Sequence, residues 1–417
     1  MQSGTALFLP RDIDADLDHW LEPFLDVTAR STRRKMAPLY VRGLLGSGGR
    51  KSIQPMAERL GLSGHDQLHH FISSRAWDDA PLWRVLAEQV DRQVGGEGAV
   101  LVVDDSGLPK KGDLSVGVAR QYCGELGKVA NAQVLVSLTL ARGAVPLPVG
   151  LRLFLPAAWT DDPARCEAAG VPEAARAAQS KPEIALAEID RVRAAGLRFS
   201  CVLADAGFGS SPDFRHGLDE RELAWAAGIA CTQLVYPTTV KLRPAYTPSG
   251  RPAKHPRPNR PPRAASEMLE TQRWRHITWR NGTKGPLNAR FAAVRVRVAD
   301  GPLNAENTRL PGEAVWLIGE WRDSGEKKYY LSNVPQRTSL RRLAASVKAR
   351  WSCEQVHQQL KQELGLGDFE GRSWTGLHRH ALMTCIAFAY LQHRRLKAAG
   401  RGKKAGPQRT AATAVAA

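Results

Sequence analysis

The sequence predicts an α/β protein in which helices flank a mixed β-sheet. A helical N-terminal region changes near Gly95 to short runs of β-branched and apolar residues, which are typical of buried strands. These runs alternate with an amphipathic helical segment, as in proteins that build one layered core from both kinds of element. A second group of strand-like segments precedes two long helical segments, which predicts a β-rich insertion before the last helices.

Residues 1–95 are predicted to form a helical domain. Its first apolar residues recur at helical spacing: Leu17, Trp20, Leu21 and Phe24. Residues 52–83 then read as two or three short helices, interrupted by a glycine-containing break at 61–64. A helix, a glycine turn and a second helix resemble a helix-turn-helix, so DNA binding is one interpretation. An ordinary helical hairpin is the other.

Residues 96–240 are predicted to contain most of the sheet. The run from Ala99 to Val103 is continuous and apolar, as expected of a strand buried on both faces. The next candidates are two strands, an amphipathic helix and a further strand, at residues 131–141, 145–155, 181–196 and 199–204. Three strands, a helix and a strand are the core order of the RNase H fold. Residues 206–227 are predicted to begin with a glycine turn and to continue as a helix.

The composition changes after residue 240. Residues 241–337 are predicted to form the β-rich insertion, in which residues 244–265 repeat proline with basic residues and are expected to be disordered. Residues 338–395 are predicted to return to the core, beginning with a long amphipathic helix over 338–364. Residues 396–417 are basic and then rich in Ala and Thr, so a disordered tail is expected.

The charge of the chain favours a polyanionic partner. It has 417 residues, with 59 Lys and Arg against 41 Asp and Glu, and a formal net charge of +18. Neutralising phosphates releases counterions, which favours binding of such a chain to nucleic acid. A genome rich in arginine codons is the alternative explanation.

Compartment and solubility follow from other features of the composition. The 6 cysteines form no C-x-x-C pair, which predicts reduced thiols in a cytoplasmic protein. The N-terminus has no signal-peptide pattern, and the apolar stretches are shorter than the roughly 20 residues that cross a bilayer. A soluble intracellular protein is expected.

Two aspartates follow predicted buried strands. Asp104 comes after the run that ends at Val103, and Asp205 comes after the strand that ends at Ala204. Functional groups gather at the carboxyl ends of strands in open α/β sheets, so both side chains are expected at one sheet edge. A hard cation such as Mg²⁺ or Mn²⁺ would compensate carboxylates there. Either aspartate alone is more typical of an ordinary turn.

A third carboxylate, Glu354, lies within the predicted helix over 338–364. Arg350, Glu354, Gln358 and Lys361 are spaced four, four and three residues apart, which places them on one helical face. Taken alone, this segment is best interpreted as a solvated face with an Arg–Glu pair. The functional interpretation is a metal-binding glutamate between two cations that contact DNA phosphates.

Three segments resemble the DDE transposases of the insertion-sequence 701 family. The first runs over residues 102–131 and begins V-V-D-D-S-G-L-P-K-K-G, and the second, from Leu203, reads L-A-D-A-G-F-G. The third, Arg350-x3-Glu354-x6-Lys361, is similar to the Y-R-E-K signature of the related insertion-sequence 4 group. Val347 stands where that signature has tyrosine. The resemblance covers residues 35–395, with the motifs in the family's order.

This resemblance implies an RNase H-like catalytic core that holds two Mg²⁺ or Mn²⁺ ions. Asp104 would be the first acid, with Asp105 as the fallback, Asp205 the second and Glu354 the third. The implied function is that of a bacterial insertion-sequence transposase, which cleaves DNA at transposon ends and transfers the 3′-OH ends into target DNA. The implied partner is double-stranded DNA, bound by a homodimer or a larger assembly.

The candidate ligands for DNA phosphate are four basic residues near these acids: Arg350, Lys361, Lys110 and Lys111. An exposed basic turn explains the two adjacent lysines equally well. Tryptophans that alternate with arginines in the insertion either stack on bases or pack within the sheet. Two other functions stay open. One is an RNase H-like nuclease without strand transfer, and the other is a domesticated, non-catalytic DNA-binding protein.

Overall fold

The computed structural model describes residues 11–74, 77–243, 256–282, 285–304 and 307–402. Its helices are α1 (Arg11–Asp26), α2 (Ser31–Leu45), α3 (Ile53–Arg59), α4 (Asp66–Ser73), α5 (Ala80–Val94), α6 (Ala157–Thr160), α7 (Pro163–Ala168), α8 (Lys181–Ala194), α9 (Ala206–Gly209), α10 (Pro212–Glu220), α11 (Ala265–Glu270), α12 (Leu340–Ala349), α13 (Trp351–Gln362) and α14 (Trp374–Gly402).

The strands of the described chain are β1 (Ala99–Pro109), β2 (Ala119–Cys123), β3 (Lys128–Arg142), β4 (Val145–Leu153), β5 (Cys201–Ala204), β6 (Trp225–Ile229), β7 (Leu234–Pro237), β8 (Leu242–Arg243), β9 (Arg257–Pro258), β10 (Arg263–Ala264), β11 (Arg275–Gly282), β12 (Gly285–Val298), β13 (Ala314–Trp321) and β14 (Lys327–Ser332). All but β8 and β9 belong to one mixed sheet.

The centre of this sheet confirms the predicted fold class. β3 pairs antiparallel with both β1 and β4, and β5 lies parallel to β1 on its other side. β6 then lies parallel to β5, so the spatial order is β4-β3-β1-β5-β6. Helix α8 supplies the crossover into the parallel strand β5, as such a connection requires. This order and these strand directions are those of an RNase H-like core.

The strands of the insertion extend the same sheet. β14 pairs antiparallel with β6, and β13 and β12 continue outward from it. The exposed edge of β6 is thereby covered, which removes a row of unpaired backbone groups. The sheet therefore connects the region between Asp205 and Glu354 directly to the acidic strands of the core.

The helix expected to continue to residue 227 ends earlier, because residues 225–229 form a strand. They form β6, which is held by parallel pairing with β5 and antiparallel pairing with β14. The segment reads W-A-A-G-I and is buried throughout. Alanine and glycine have little intrinsic preference for strands, so this strand depends on its neighbours and leaves a weak local pattern.

Other boundaries also differ from expectation. The helix expected over 338–364 is two helices, α12 and α13, which meet at Arg350. Of the segment expected to be disordered, residues 244–255 lie outside the described chain, whereas 256–265 contain β9 and β10. The pairing of β10 with β7 gives this proline-rich sequence a fixed place. Helix α14 continues into the expected tail as far as Gly402.

Helix α14 is the last helix of the chain, but it packs among the N-terminal helices. It packs against α2, α4 and α5 on one side and against β4 on another. His378 accepts a hydrogen bond from the Leu153 amide, and His380 contacts the hydroxyl of Tyr40 and the carbonyl of Gly365. Burial lowers the pKa of His378 to about 3 and that of His380 to about 4, so both pack as neutral rings. In the described part of the chain, no helix combines the length and apolarity needed to cross a membrane.

Candidate active site

Asp104 lies inside β1 and not after it, which corrects the position expected from sequence. The strand continues to Pro109 because β3 pairs with it along its whole length, and Asp104 itself is opposite Ser137. The apolar run that ends at Val103 marks only the first part of the strand, which is buried again from Ser106 to Leu108. The carboxylate of Asp104 is 14% exposed, so it lies in a largely dehydrated position.

Asp205 directly follows β5, the strand next to β1. The two strands are parallel, with Val103 opposite Ala204, so the residue after each of this pair is one of the two aspartates. Adjacent strands are about 4.8 Å apart, which brings the two backbones close at this point. Oδ1 of Asp205 accepts a hydrogen bond from the Phe208 amide at 3.2 Å and thereby caps α9.

Two glycines allow the turn after Asp205 to pack closely on β6. A Cβ atom on Gly209 would lie 2.1 Å from the carbonyl oxygen of Gly228. A Cβ atom on Gly228 would in turn lie 2.8 Å from the Ala206 nitrogen and 3.1 Å from the Asp205 carbonyl carbon. The position of Asp205 therefore depends on the absence of side chains at both residues. Gly209 belongs to the motif identified in the sequence, whereas Gly228 is in β6, the strand that was not predicted.

Arg350 connects the first and third acids. Its Nη1 atom donates to Oδ2 of Asp104 at 2.6 Å, and its Nη2 atom donates to Oε1 of Glu354 at 3.0 Å. Glu354 is in the first turn of α13 and is 53% exposed, so it faces the open side of the site. The charges of Asp104, Asp205 and Glu354 all raise the pKa of Arg350, although its burial opposes them.

The electrostatics of Asp104 indicate a site with too little positive charge. Its pKa is raised to about 7, because burial and the repulsion by Asp205 together outweigh the opposing charge of Arg350. One guanidinium thus compensates its carboxylate only in part. Three carboxylates around a single cation are a donor set that suits hard divalent ions with oxygen ligands, so these residues fit Mg²⁺ or Mn²⁺.

Asp105 points away from this group. Successive side chains of a strand lie on opposite faces, and Asp105 pairs with Nζ of Lys181 at 2.5 Å. Lys181 is the first residue of α8, which packs on the face of the sheet opposite α13. The structure therefore places Asp205 next to Asp104 and links Asp104 to Glu354 through Arg350, and it keeps Asp105 apart from them.

The predicted phosphate ligands lie in different environments. Nζ of Lys361 pairs with Glu125, in the turn between β2 and β3, at 2.9 Å. Nζ of Lys110 donates to the Phe369 carbonyl, and burial lowers its pKa. Lys111 is exposed to solvent. Of the four predicted cations, all of which the structure describes, Arg350 alone is hydrogen-bonded to the acids.

A polar cluster that sequence reasoning missed lies directly behind Asp104. Ser137 and Thr139 point from β3 towards α13, where they meet His357 and Cys353. Oγ of Ser137 also donates to the carbonyl oxygen of Asp104 at 3.2 Å. The spacing of four between Cys353 and His357 places both on one helical face, and that was the only signal available in the sequence.

Arginines of the insertion lie over tryptophan rings, which belong to the insertion or to α13. Arg290 lies over the ring of Trp321 with 4.0 Å between the guanidinium carbon and the ring centroid. Arg295 lies over Trp316 at 5.6 Å, and Arg280 lies over Trp351 at 5.5 Å. These arginines and tryptophans therefore have stacking partners within the protein, without contact to DNA bases.

Comparisons with known proteins place the chain in a family of DDE endonucleases. A family model described as DDE superfamily endonuclease matches residues 23–286, which include Asp104 and Asp205 but end before Glu354. A 187-residue segment is 29% identical to a probable transposase for insertion sequence element IS701 from Microchaete diplosiphon. The match covers 45% of this chain and 46% of that relative, so it spans less than half of the relative's length.

A solved structure with a similar course of the chain is that of the piggyBac transposase in its synaptic complex with hairpin DNA. The TM-score is 0.40 and the sequence identity 12%, over 94% of this chain and 75% of that one. The resemblance to DDE transposases of the insertion-sequence 701 type, inferred from the sequence motifs, is confirmed by the family model and the curated relative.

Proposed function

Because the chain belongs to the DDE superfamily of endonucleases, we propose that it is an insertion-sequence transposase that cleaves DNA at transposon ends and joins the freed 3′-OH ends to target DNA. In this proposal Asp104, Asp205 and Glu354 are the metal ligands and the catalytic acids. The observation that carries it is that Asp104 of β1 and Glu354 of α13 both bind Arg350, while Asp205 directly follows the neighbouring strand β5.

Two divalent ions, when bound, would supply the Lewis acid for in-line attack on phosphorus. The chain's own residues prepare for this in three ways. Asp104 and Asp205 present carboxylate oxygens from neighbouring strands of a rigid sheet. Glu354 closes the site from α13 and stays open to solvent on its outer side. The guanidinium of Arg350 has two parallel donors, so it suits two phosphate oxygens once bound metal ions would neutralise the carboxylates.

Double-stranded DNA is the proposed partner, bound by at least a dimer because joining requires two ends. Lys361 and Lys111 are the proposed phosphate contacts, and the net charge of +18 supports attraction of the duplex. The helices α3 and α4 are proposed as a further DNA contact, since His69 and His70 of α4 are exposed. The cytoplasm is the proposed compartment.

A cleavage and joining assay tests this function. The substrates are duplexes that carry the ends of the element encoding the chain, either intact or pre-cleaved, in Mg²⁺ or Mn²⁺. We expect Asp205→Asn to reduce both reactions at least about 100-fold, as losing an electrostatic group of an active site does. Asp105→Asn is the matched control, because this neighbouring carboxylate lies on the other face, and it should keep most activity.

The outcomes separate the remaining functions. Cleavage without joining of pre-cleaved ends would show a nuclease and contradict strand transfer. Duplex binding with neither reaction, unchanged by Asp205→Asn, would show a DNA-binding protein and contradict catalysis. A loss of activity in Asp105→Asn that equals the loss in Asp104→Asn would contradict the choice of the first acid.

A further inference from the structure

Cys353 and His357 form a second potential ligand group beside Asp104. Sγ of Cys353 lies 3.5 Å from Nε2 of His357, one helical turn further along α13. These two atoms and a carboxylate oxygen of Asp104 all lie within 4.8 Å of one another. Cys353 is fully buried, and Asp104 connects the group to the open acidic site. A thiol, an imidazole and a carboxylate are the ligand types of zinc sites.

The spacing matches the coordination geometry of zinc. Zn–S bonds of about 2.3 Å and Zn–N bonds of about 2.0–2.1 Å, at tetrahedral angles, place the two ligand atoms about 3.5 Å apart. The sulfur and nitrogen already have this separation. Burial lowers the pKa of His357 to about 3, so its ring is neutral and can offer a lone pair.

We propose that Cys353, His357 and Asp104 form a site for a soft or borderline divalent cation, namely Zn²⁺, which overlaps the acidic site at Asp104. A fourth position, on the side of Asp104 that opens to solvent, is left for water. Magnesium does not compete well here, because thiolate and imidazole ligands select softer ions than oxygen ligands do. The two sites thus share one carboxylate but differ in the metal that they favour.

The proton balance of zinc binding is simple. Burial raises the pKa of the Cys353 thiol, so the zinc ion itself must displace the thiol proton to solvent as the Zn–S bond forms. His357 keeps one proton, which must be on Nδ1 so that the Nε2 lone pair faces the metal. Nε2 gives up its 2.8 Å contact with the Ser137 hydroxyl when it binds the ion, and that hydroxyl keeps the hydrogen bond that it donates to the Asp104 carbonyl. Thiolate and carboxylate together neutralise the ion, which makes its burial acceptable.

The proposed site has a regulatory consequence, which rests on the proposed function. Zinc bound here occupies a carboxylate that the catalytic ions need. Micromolar Zn²⁺ should therefore inhibit the Mg²⁺-supported reaction, although Zn²⁺ binds between the sheet and α13 and not in place of DNA.

Metal binding to the full chain tests the site without any DNA. All proteins carry Cys231→Ser, which removes the exposed cysteine. Zn²⁺ is titrated by calorimetry, and Co²⁺ is used as a spectroscopic probe for its thiolate charge-transfer band. We expect one equivalent with this band, and Cys353→Ser should abolish the band and weaken Zn²⁺ binding at least about 100-fold, more than the loss of an outer partner does. Cys166→Ser is the buried control and should keep both.

His357→Gln and Asp104→Asn provide independent tests, and circular dichroism with thermal melting shows whether each variant is folded. Both should weaken Zn²⁺ binding, because each removes one ligand. If no thiolate band forms in the parent protein, or if the band persists in Cys353→Ser, the zinc site is wrong.

The inhibition is measured as the ratio of cleavage with and without Zn²⁺ in each protein. Zinc should inhibit the parent protein and the Cys166 variant but not Cys353→Ser, and equal inhibition of all three would contradict the overlap. If no protein cleaves DNA, the proposed function fails, whereas the zinc site is still decided by the binding experiment.

Discussion

Nη1 of Arg350 donates to Oδ2 of Asp104 at 2.6 Å, which joins two residues that are 246 positions apart in the chain. Their side chains are 23% and 14% exposed, so the pair is only partly screened by water. The second nitrogen of the same guanidinium binds Glu354, which fixes the start of α13 relative to β1. Arg350 thus acts as the counter-charge of the acidic site in the protein without metal.

Replacing Arg350 should make the protein more dependent on metal for its stability. Arg350→Ala removes charged hydrogen bonds from Asp104 and Glu354, so we expect it to lower the free energy of unfolding without metal by about 2 kcal/mol. Mn²⁺ should then raise the melting temperature of Arg350→Ala more than that of the wild type, because it restores the missing positive charge.

Arg350→Lys is the matched control, since it keeps the charge but loses the two-pronged geometry. Its stability without metal should lie between those of the other two proteins. Equal Mn²⁺ shifts in all three, measured by differential scanning fluorimetry, would show that Arg350 does not act as the counter-charge.

Adding a methyl group at Gly228 should displace the turn that carries Asp205. The new Cβ atom would lie 2.8 Å from the Ala206 nitrogen, a backbone atom that cannot rotate away. We expect Gly228→Ala to reduce stability by about 1–3 kcal/mol, as other overpacked substitutions do. Gly124→Ala is the control, because a Cβ atom there meets nothing within 4 Å. Similar unfolding midpoints in urea for the two variants would contradict this account of the close approach.

Glu188 should contribute stability that disappears in acid. Burial raises the pKa of this carboxylate, but the charges and hydrogen bonds of Arg152 and Arg191 outweigh burial and lower the pKa to about 2. The unfolded chain, with an ordinary pKa of 4.5, therefore takes up the proton first as the pH falls. The stabilisation is complete above pH 4.5 and is lost as the pH decreases towards 2.

Glu188→Gln tests this linkage through its pH dependence. We expect it to destabilise the protein by about 3–5 kcal/mol at pH 7, because it leaves the half-buried Arg152 and Arg191 without this carboxylate partner. The difference from the wild type should shrink below pH 4.5. Glu167→Gln, at an exposed site, should match the wild type throughout. A difference that stays constant from pH 7 to pH 3 in denaturant titrations would contradict the lowered pKa.

Lys361 should contribute to duplex binding through charge and not through base sequence. One phosphate contact contributes about 0.9 to the slope of log K against log salt concentration, so Lys361→Ala should reduce that slope by about 1. The affinity should fall by a similar factor for transposon-end and unrelated duplexes.

Arg198→Ala is the control for Lys361→Ala. Arg198 precedes β5, at the end of the strand opposite to Asp205, and pairs with Asp91. It should leave the slope unchanged. An unchanged slope for Lys361→Ala in fluorescence anisotropy titrations would mean that Lys361 forms its ion pair with Glu125 and does not contact DNA phosphate.

The sequence by itself determined which elements form the centre of the sheet and which carboxylates were candidates. Continuous apolar runs such as Ala99 to Val103 reflect burial on both faces. Burial can be inferred from a short stretch of sequence because it restricts the residue types at each position. The motifs around Asp104, Asp205 and Glu354 similarly carried the family resemblance. A short strand such as β6 left no such pattern, since its pairing partners and not its own residues hold it in place.

The tertiary structure decided how these residues meet. Asp104 and Asp105 are adjacent and chemically identical, and only the register of β1 against β3 and β5 turns one towards Arg350 and the other towards Lys181. The contact of His357 with Ser137 likewise joins positions 220 apart. Such contacts depend on strand register and on the packing of a helix against a sheet, and neither quantity is encoded in the periodicity of any single segment.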